Sequence, residues 1–423
     1  MNEFSSIKSD KNFFNNLNST LKSFILLLFI LFVGCSSTKR FSSENNNNFY
    51  SNYAIRVLLN STSEETIEVD DLIMIAEEDG ELAEVNSGNK LKFNLASGKI
   101  NLSIGSKQFV SDIFYINSGN KNGIIKINSK KYRGRILVSV YNSELKIINQ
   151  IGLEDYVKGV MIKEMPVGKA NENYNALKAF SICIRTYAFN KIEEGKEYFD
   201  IYPDTRDQVY GGVEGETEMT NNIVDETKGQ LLVYKDDLAT IFYHSTCGGY
   251  TEDIVNVFNK KNISYLTGVK DGDGPFCEIS PRYEWTENYT QAVFINRLFN
   301  AKLIENESYK ISSVNVDSRF KSGRVNELII TLNNTQGDEK NISLFGNSMR
   351  TIIRNSDGKS ILKSTLFDLQ VDEDKNIVLS GKGNGHGVGL CQWGAIGQSR
   401  KNIDYKKILN HYFPGTEIKK VYD

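Results

Sequence analysis

Histidine is scarce in this 423-residue chain: His244, His386 and His411 are all it has, so imidazole chemistry is confined to a few places. An excess of positive charge is also missing. The net charge of -3 leaves no basic footprint for nucleic acid, and no nucleic-acid partner is expected. A neutral or zwitterionic polymer such as a glycan suits that balance better than a polyanion. The apolar run Phe24–Val33 has ten residues, too short for the ~20 that a membrane-spanning helix needs. Among five cysteines there is no CxxC pair. A phosphate-cradling loop is excluded as well, because no Lys-Ser/Thr pair follows the glycine-rich stretch near the C-terminus.

What is present is ordinary for a globular protein: 40% hydrophobic and 24% charged residues, in a length that suits two or three domains. The chain has 21 tyrosines and 23 phenylalanines, suited to a core and to sugar faces alike. Phe24–Val33, preceded by Lys22, fits the apolar centre of a signal peptide. It runs into Gly34-Cys35-Ser36-Ser37, which resembles the lipobox of bacterial lipoproteins, with Cys35 as the lipidated residue. Residues 1–35 are therefore expected to be a lipoprotein signal peptide. The polar, asparagine-rich residues 36–52 are expected to be a flexible tether. The expected location is the cell envelope, with the lipid on Cys35 in the outer side of the cytoplasmic membrane or in the outer membrane.

Residues 53–130 alternate short β-type runs with glycine turns and predict a small β-rich domain with no chemical constellation of its own. Residues 131–423 are expected to form a second domain of mixed helices and antiparallel strands, making the fold class α+β. Arg135–Tyr141 and Leu145–Asn149 predict a hairpin across Asn142-Ser143. The period then becomes helical, with Leu153, Tyr156, Val157, Val160 and Met161 in step, and Pro166 should stop that helix near Met165. A second helix carries Ala176, Leu177, Phe180, Cys183, Ile184, Tyr187 and Ala188 on one face, with Cys183 a buried thiol. Further on, residues 288–303 predict a helix, 310–333 two strands and 347–353 a short helix, with Arg350 expected at the surface.

Two stretches carry chemistry. Glu164 lies four residues after Val160 and eight after Tyr156, so it continues an apolar stripe. A carboxyl there loses solvation and its pKa rises, the property a general acid for glycosidic cleavage needs. The alternatives are an exposed helix end or an ion pair with Arg185. Residues 383–395 hold five glycines around His386 and read as a tight loop that presents this histidine and enters a helix near Leu390.

These residues resemble a known family. Gly385-His386-Gly387-Val388-Gly389-x-x-Gln392-Trp393-Gly394-Ala395 is similar to the C-terminal signature of the SpoIID/LytB family of peptidoglycan-acting proteins. Leu153-Glu154-Asp155-Tyr156-Val157, Glu164-Met165-Pro166 and Arg185-Thr186-Tyr187-Ala188 are similar to its N-terminal signature. Intermediate matches occur at Asp207–Gly212, at Phe242–Glu252 and from Tyr265 through Cys277 to Trp285. The resemblance spans roughly Tyr132 to Pro414. It implies a SpoIID-like domain that cuts the N-acetylmuramate–N-acetylglucosamine bond as a lytic transglycosylase. Glu164 is then the catalytic acid, and no cofactor is required for the chemistry. Peptidoglycan strands are the implied partner. The other implied role is a non-catalytic enhancer that binds glycan and stimulates a cell-wall amidase.

For substrate binding the candidates are His386, Gln392, Tyr210 and Tyr243. His386 either holds sugar, fixes Glu164 by a hydrogen bond, or is a satisfied loop residue. Gln392 bonds either a sugar hydroxyl or the backbone, and the two tyrosines line the groove or belong to the core. His244-x-x-Cys247 is a ligand pair that Cys277 and Cys391 would complete to a tetrahedral, structural zinc site, in keeping with zinc-binding members of the family. A Cys247–Cys277 disulfide and free thiols are the alternatives. His411 is expected to be structural. Asp207 and Glu252 are the nearest candidates for the second carboxylate that hydrolysis would require.

Overall fold

Along Ala54–Thr62, Ile73–Glu77 and Ile113–Ser118 alternate side chains are buried, and these runs are strands in the computed structural model, which describes residues 53–168, 171–258 and 260–423. The expected signal peptide, the tether and Cys35 lie outside the described residues. A six-stranded antiparallel sheet runs in the order Ala54–Thr62, Glu144–Gly152, Arg135–Tyr141, Ile113–Ser118, Ile73–Glu77, Gly80–Val85. Its apolar face shares one core with a four-stranded sheet built from Glu64–Glu68, Lys90–Ala96, Lys99–Ile104 and Lys107–Ser111, where Phe93 meets Phe114.

The expected break between residues 130 and 131 runs through the six-stranded sheet. Ala54–Thr62 pairs with Glu144–Gly152, from Ala54 opposite Gly152 to Thr62 opposite Leu145. The hairpin itself is as expected, with Asn142 and Ser143 both at positive φ, the backbone a two-residue hairpin turn needs.

The strand Glu144–Gly152 passes directly into the helix Leu153–Glu164, whose first turn carries Glu154 and Asp155, favourably placed against the helix dipole. Met165 is extended and Pro166 follows, so the helix ends on Glu164. The long helix Tyr174–Glu193 buries Ala176, Leu177, Phe180, Cys183, Ile184 and Ala188 against it. Arg185, fully buried, forms a two-pronged ion pair with Glu154 at 2.9 and 2.7 Å. Glu154 also accepts from the Tyr422 hydroxyl, so the chain's C-terminal residues close over the same charge.

A second core, unforeseen from the sequence, lies within residues 285–379 and gathers Trp285, Tyr289, Phe294, Leu298, Leu328, Ile330, Phe367 and Leu379. The two strands expected in 310–333 are Lys310–Arg319 and Val325–Asn333. The helix expected over 288–303 is shorter. Trp285, Glu287 and Tyr289 are buried with a period of two in the strand Glu284–Tyr289, Thr290 caps, and the helix is Gln291–Asn300. Arg350 is a correction: it is buried, donating to the Leu362 carbonyl at 2.8 Å. Among the described residues no helix is long and apolar enough to cross a membrane.

Candidate functional site

Glu164 is half-buried where the helix stops. Its Oε1 accepts the Val209 backbone N–H at 2.6 Å. Burial holds its carboxyl above the ordinary glutamate range, against the opposing effects of the Val209 N–H and the Tyr243 side chain. The Tyr243 side chain lies beside that carboxyl, and its hydroxyl, like Gln208 Nε2, is fully buried. Gln208 is tied by its other end to the Tyr156 hydroxyl at 3.1 Å. The ion pair with Arg185 does not occur, because Arg185 is taken by Glu154. No carboxylate is among the groups that shift Glu164. Asp207 instead accepts from the Tyr187 hydroxyl at 2.6 Å, and Glu252 from Asn256 Nδ2 at 2.9 Å.

The glycine-rich loop reaches this acid through Gln392. Its Nε2 donates to the Glu164 backbone carbonyl at 2.8 Å, across 228 positions of sequence. Of the readings open to Gln392, the structure gives a backbone bond, made to the acid's own peptide unit. Leu390-Cys391 forms a two-residue parallel ladder with Tyr243-His244, which sets Tyr243 opposite Leu390 and His244 opposite Cys391, just before Gln392. That ladder needs Gly389: its φ is +71°, and a Cβ there would sit 2.2 Å from the Phe242 carbonyl oxygen.

His386 does not turn to Glu164. Its Nδ1 accepts the Val388 N–H at 3.1 Å, and its ring lies among Phe242, Phe258 and His244. Burial first, and then the Arg350 charge, push its pKa down to about 3, so the imidazole is neutral and donates no proton to substrate at physiological pH. Tyr210 is part of the core: it stacks on Tyr156, is 8% exposed, and donates to Asn149 Oδ1 at 2.7 Å. Tyr243 remains at the site, its ring edge-on to Phe180 with centroids 4.9 Å apart. His411 packs on Phe276 and Tyr412, away from these groups. Gln208 and the Val209 N–H were missed in the sequence. The clue was there, in the matched stretch Asp207–Gly212.

The metal-ligand set also needs one correction. Cys247, Cys277 and Cys391 come together, and the fourth side chain gathered with them is Asp271, not His244. His244 Nδ1 is bound to the Val388 carbonyl at 3.1 Å, and its ring pairs with His386. Cys247 and Cys277 are free thiols with sulfurs 3.4 Å apart, well beyond the ~2.05 Å of a disulfide. A cavity of about 520 Å³ lies elsewhere, on the second core, lined by Trp285, Arg319, Asp368 and Lys382 among others.

The geometry defines a class: an α+β protein in which one poorly solvated carboxyl, at a helix end, is held by a loop from the far end of the chain. The family profile described as Stage II sporulation protein matches residues 141–234, and one described as a domain of unknown function matches 251–389. An uncharacterised protein of Brachyspira hyodysenteriae (strain ATCC 49526 / WA1) is 32% identical over 294 residues, covering 69% of this chain and 73% of that protein. The amidase enhancer of Bacillus subtilis (strain 168) is 30% identical over 298 residues, 62% of this chain but only 40% of the relative's length. Stage II sporulation protein D of the same organism is 25% identical over 300 residues, 67% of this chain and 79% of the relative. The chain belongs to the SpoIID/LytB family, and its function is related to the cell wall.

Proposed function

We propose that the protein is a peptidoglycan lytic transglycosylase of the cell envelope, anchored by lipid on Cys35, with Glu164 as general acid and then general base. The observation that carries this reading is the half-buried Glu164 carboxyl, raised in pKa by burial, with the Val209 N–H and the Tyr243 side chain beside it. A raised pKa keeps the acid protonated further toward neutral pH, where it gives its proton to the glycosidic oxygen. The glycosidic bond to the leaving N-acetylglucosamine breaks as that oxygen takes the proton. The resulting carboxylate accepts the proton of the muramate C6 hydroxyl as that oxygen bonds to the anomeric carbon, closing a 1,6-anhydro ring. One carboxyl suffices, because the attacking hydroxyl belongs to the substrate. That accords with a Glu164 on which no carboxylate among the described residues acts, whereas hydrolysis ordinarily employs two.

A second reading is favoured by the similarity to a protein named amidase enhancer. In it the same surface binds glycan and the protein stimulates a cell-wall amidase. Mass spectrometry of products from purified glycan strands separates the two. Release of anhydro-muropeptides by the wild type and none by Glu164→Gln is the expected result. A wild-type protein that releases nothing from strands with or without stem peptides, yet stimulates an amidase, would overturn the transglycosylase reading.

A further inference from the structure

Away from the acid, four side chains able to ligate a metal gather among the described residues: Cys247, Asp271, Cys277 and Cys391. All four are buried, and their donor atoms lie within 4.8 Å of one another. Backbone N–H groups point at the donors: Gly249 N to Cys247 Sγ at 3.4 Å, Cys247 N and Gly394 N to Cys391 Sγ at 3.2 and 3.3 Å, and Cys277 N to Asp271 Oδ2 at 2.8 Å. The Tyr412 hydroxyl donates to Asp271 Oδ1 at 2.5 Å. These are the outer contacts that orient ligands and offset negative charge at a metal centre. Close approach is built in as well. Gly394 lies so near this group that a Cβ would sit 2.1 Å from the Tyr412 hydroxyl and 2.4 Å from Asp271. The fully buried Arg324 adds a positive charge behind the cluster, donating to the Cys247 carbonyl at 2.6 Å and the Tyr250 carbonyl at 2.7 Å.

The geometry points to a closed tetrahedral site for one zinc-type divalent ion, held by Cys247, Asp271, Cys277 and Cys391, that steadies Glu164 through the adjacent Gln392. Three thiolates and one carboxylate form a soft, four-donor set that suits zinc. Sulfurs at ~2.3 Å from a tetrahedral ion would stand about 3.8 Å apart, and the Cys247 and Cys277 sulfurs are at 3.4 Å before any ion pulls on them. Binding releases the three thiol protons to solvent. Four protein donors leave no open position for water, so the ion supplies structure and no chemistry. Cys391 is the residue immediately before Gln392, and its sulfur accepts from Gly394 at the start of the helix Gln392–Arg400. Fixing that sulfur therefore fixes the amide that holds the Glu164 carbonyl. The steadying of Glu164 rests on the acid proposed above; the ion does not.

Native mass spectrometry and elemental analysis of the full chain, purified under reducing conditions, read the ion without substrate. One zinc per chain is expected, and cobalt exchanged for it should give intense thiolate-to-metal absorption. Asp271→Asn should weaken zinc binding roughly tenfold or more, and Cys277→Ser should abolish stoichiometric binding. Wild-type protein that holds no metal and gives no cobalt spectrum, or that carries a Cys247–Cys277 disulfide, would overturn the site whether or not the variants fold. Glycan cleavage, where present, should show its pH limb displaced in the chelator-stripped protein at unchanged far-ultraviolet dichroism. An unmoved limb after metal loss would overturn the coupling. Inactivity of the metal-loaded wild type would count against the acid and leave the ion standing.

Discussion

At the scale of single residues the central quantity is the raised pKa of Glu164. A carboxyl whose folded pKa exceeds its unfolded value binds its proton more tightly when folded. Its contribution to stability is present below the unfolded pKa and is lost as pH rises through the folded one. Ionised Glu164 therefore weakens the fold at neutral pH, and Glu164→Gln should melt at the same temperature or higher at pH 7. That advantage should vanish near pH 4, as thermal unfolding across the range will show. Tyr243 opposes the rise, so Tyr243→Phe should move the pH limb of glycan cleavage governed by this acid to higher pH, read from the profile of initial rates. Glu164 itself was legible in the sequence, because a carboxyl on an apolar stripe is conspicuous. Its partner was not, because the group that meets it is a backbone N–H, which every residue but proline carries. Tyr210 misled for the opposite reason. An aromatic beside a glycine pair suits a sugar face as well as a core, and only its hydrogen bond to Asn149 decides.

At the scale of elements, the site depends on two joints. One is the Glu154–Arg185 pair between the helix Leu153–Glu164 and the long helix after it. Arg185→Ala leaves a largely buried carboxylate unpaired and should cost about 3–5 kcal/mol in denaturant unfolding. The other is Gln392 on Glu164. Gln392→Ala removes one hydrogen bond, worth about 1 kcal/mol of stability, yet glycan cleavage should fall by roughly tenfold or more as the acid loses its registration. The helices and the Asn142-Ser143 hairpin were legible, since period and turn chemistry are local properties. The ladder between Tyr243-His244 and Leu390-Cys391 was not, because a two-residue strand has no period to read. The same ladder explains why His244 was misassigned: it brings His244 level with Cys391, but the ring turns to the Val388 carbonyl, and Asp271 takes the place beside the sulfurs.

At the scale of the whole molecule, the expected division at residue 130 gave way to a sheet that crosses it, and a second core appeared within residues 285–379. Neither was legible, because which strands pair at long range is not written in any one of them. Arg324 joins the two cores: it lies within the span of the second and its guanidinium is bonded to carbonyls around Cys247. Arg324→Met should leave those carbonyls unpaired and cost about 1–3 kcal/mol in denaturant unfolding, with the loss felt at the Cys247 segment. The distance in sequence between Glu164 and Gln392 has a temporal side too. A ribosome finishes the acid long before it makes the amide that steadies it. A polypeptide interrupted between Glu164 and Gln392 would possess the reactive group yet lack its support, so an unfinished copy should be a weaker agent against the polymer that the finished one is proposed to cut.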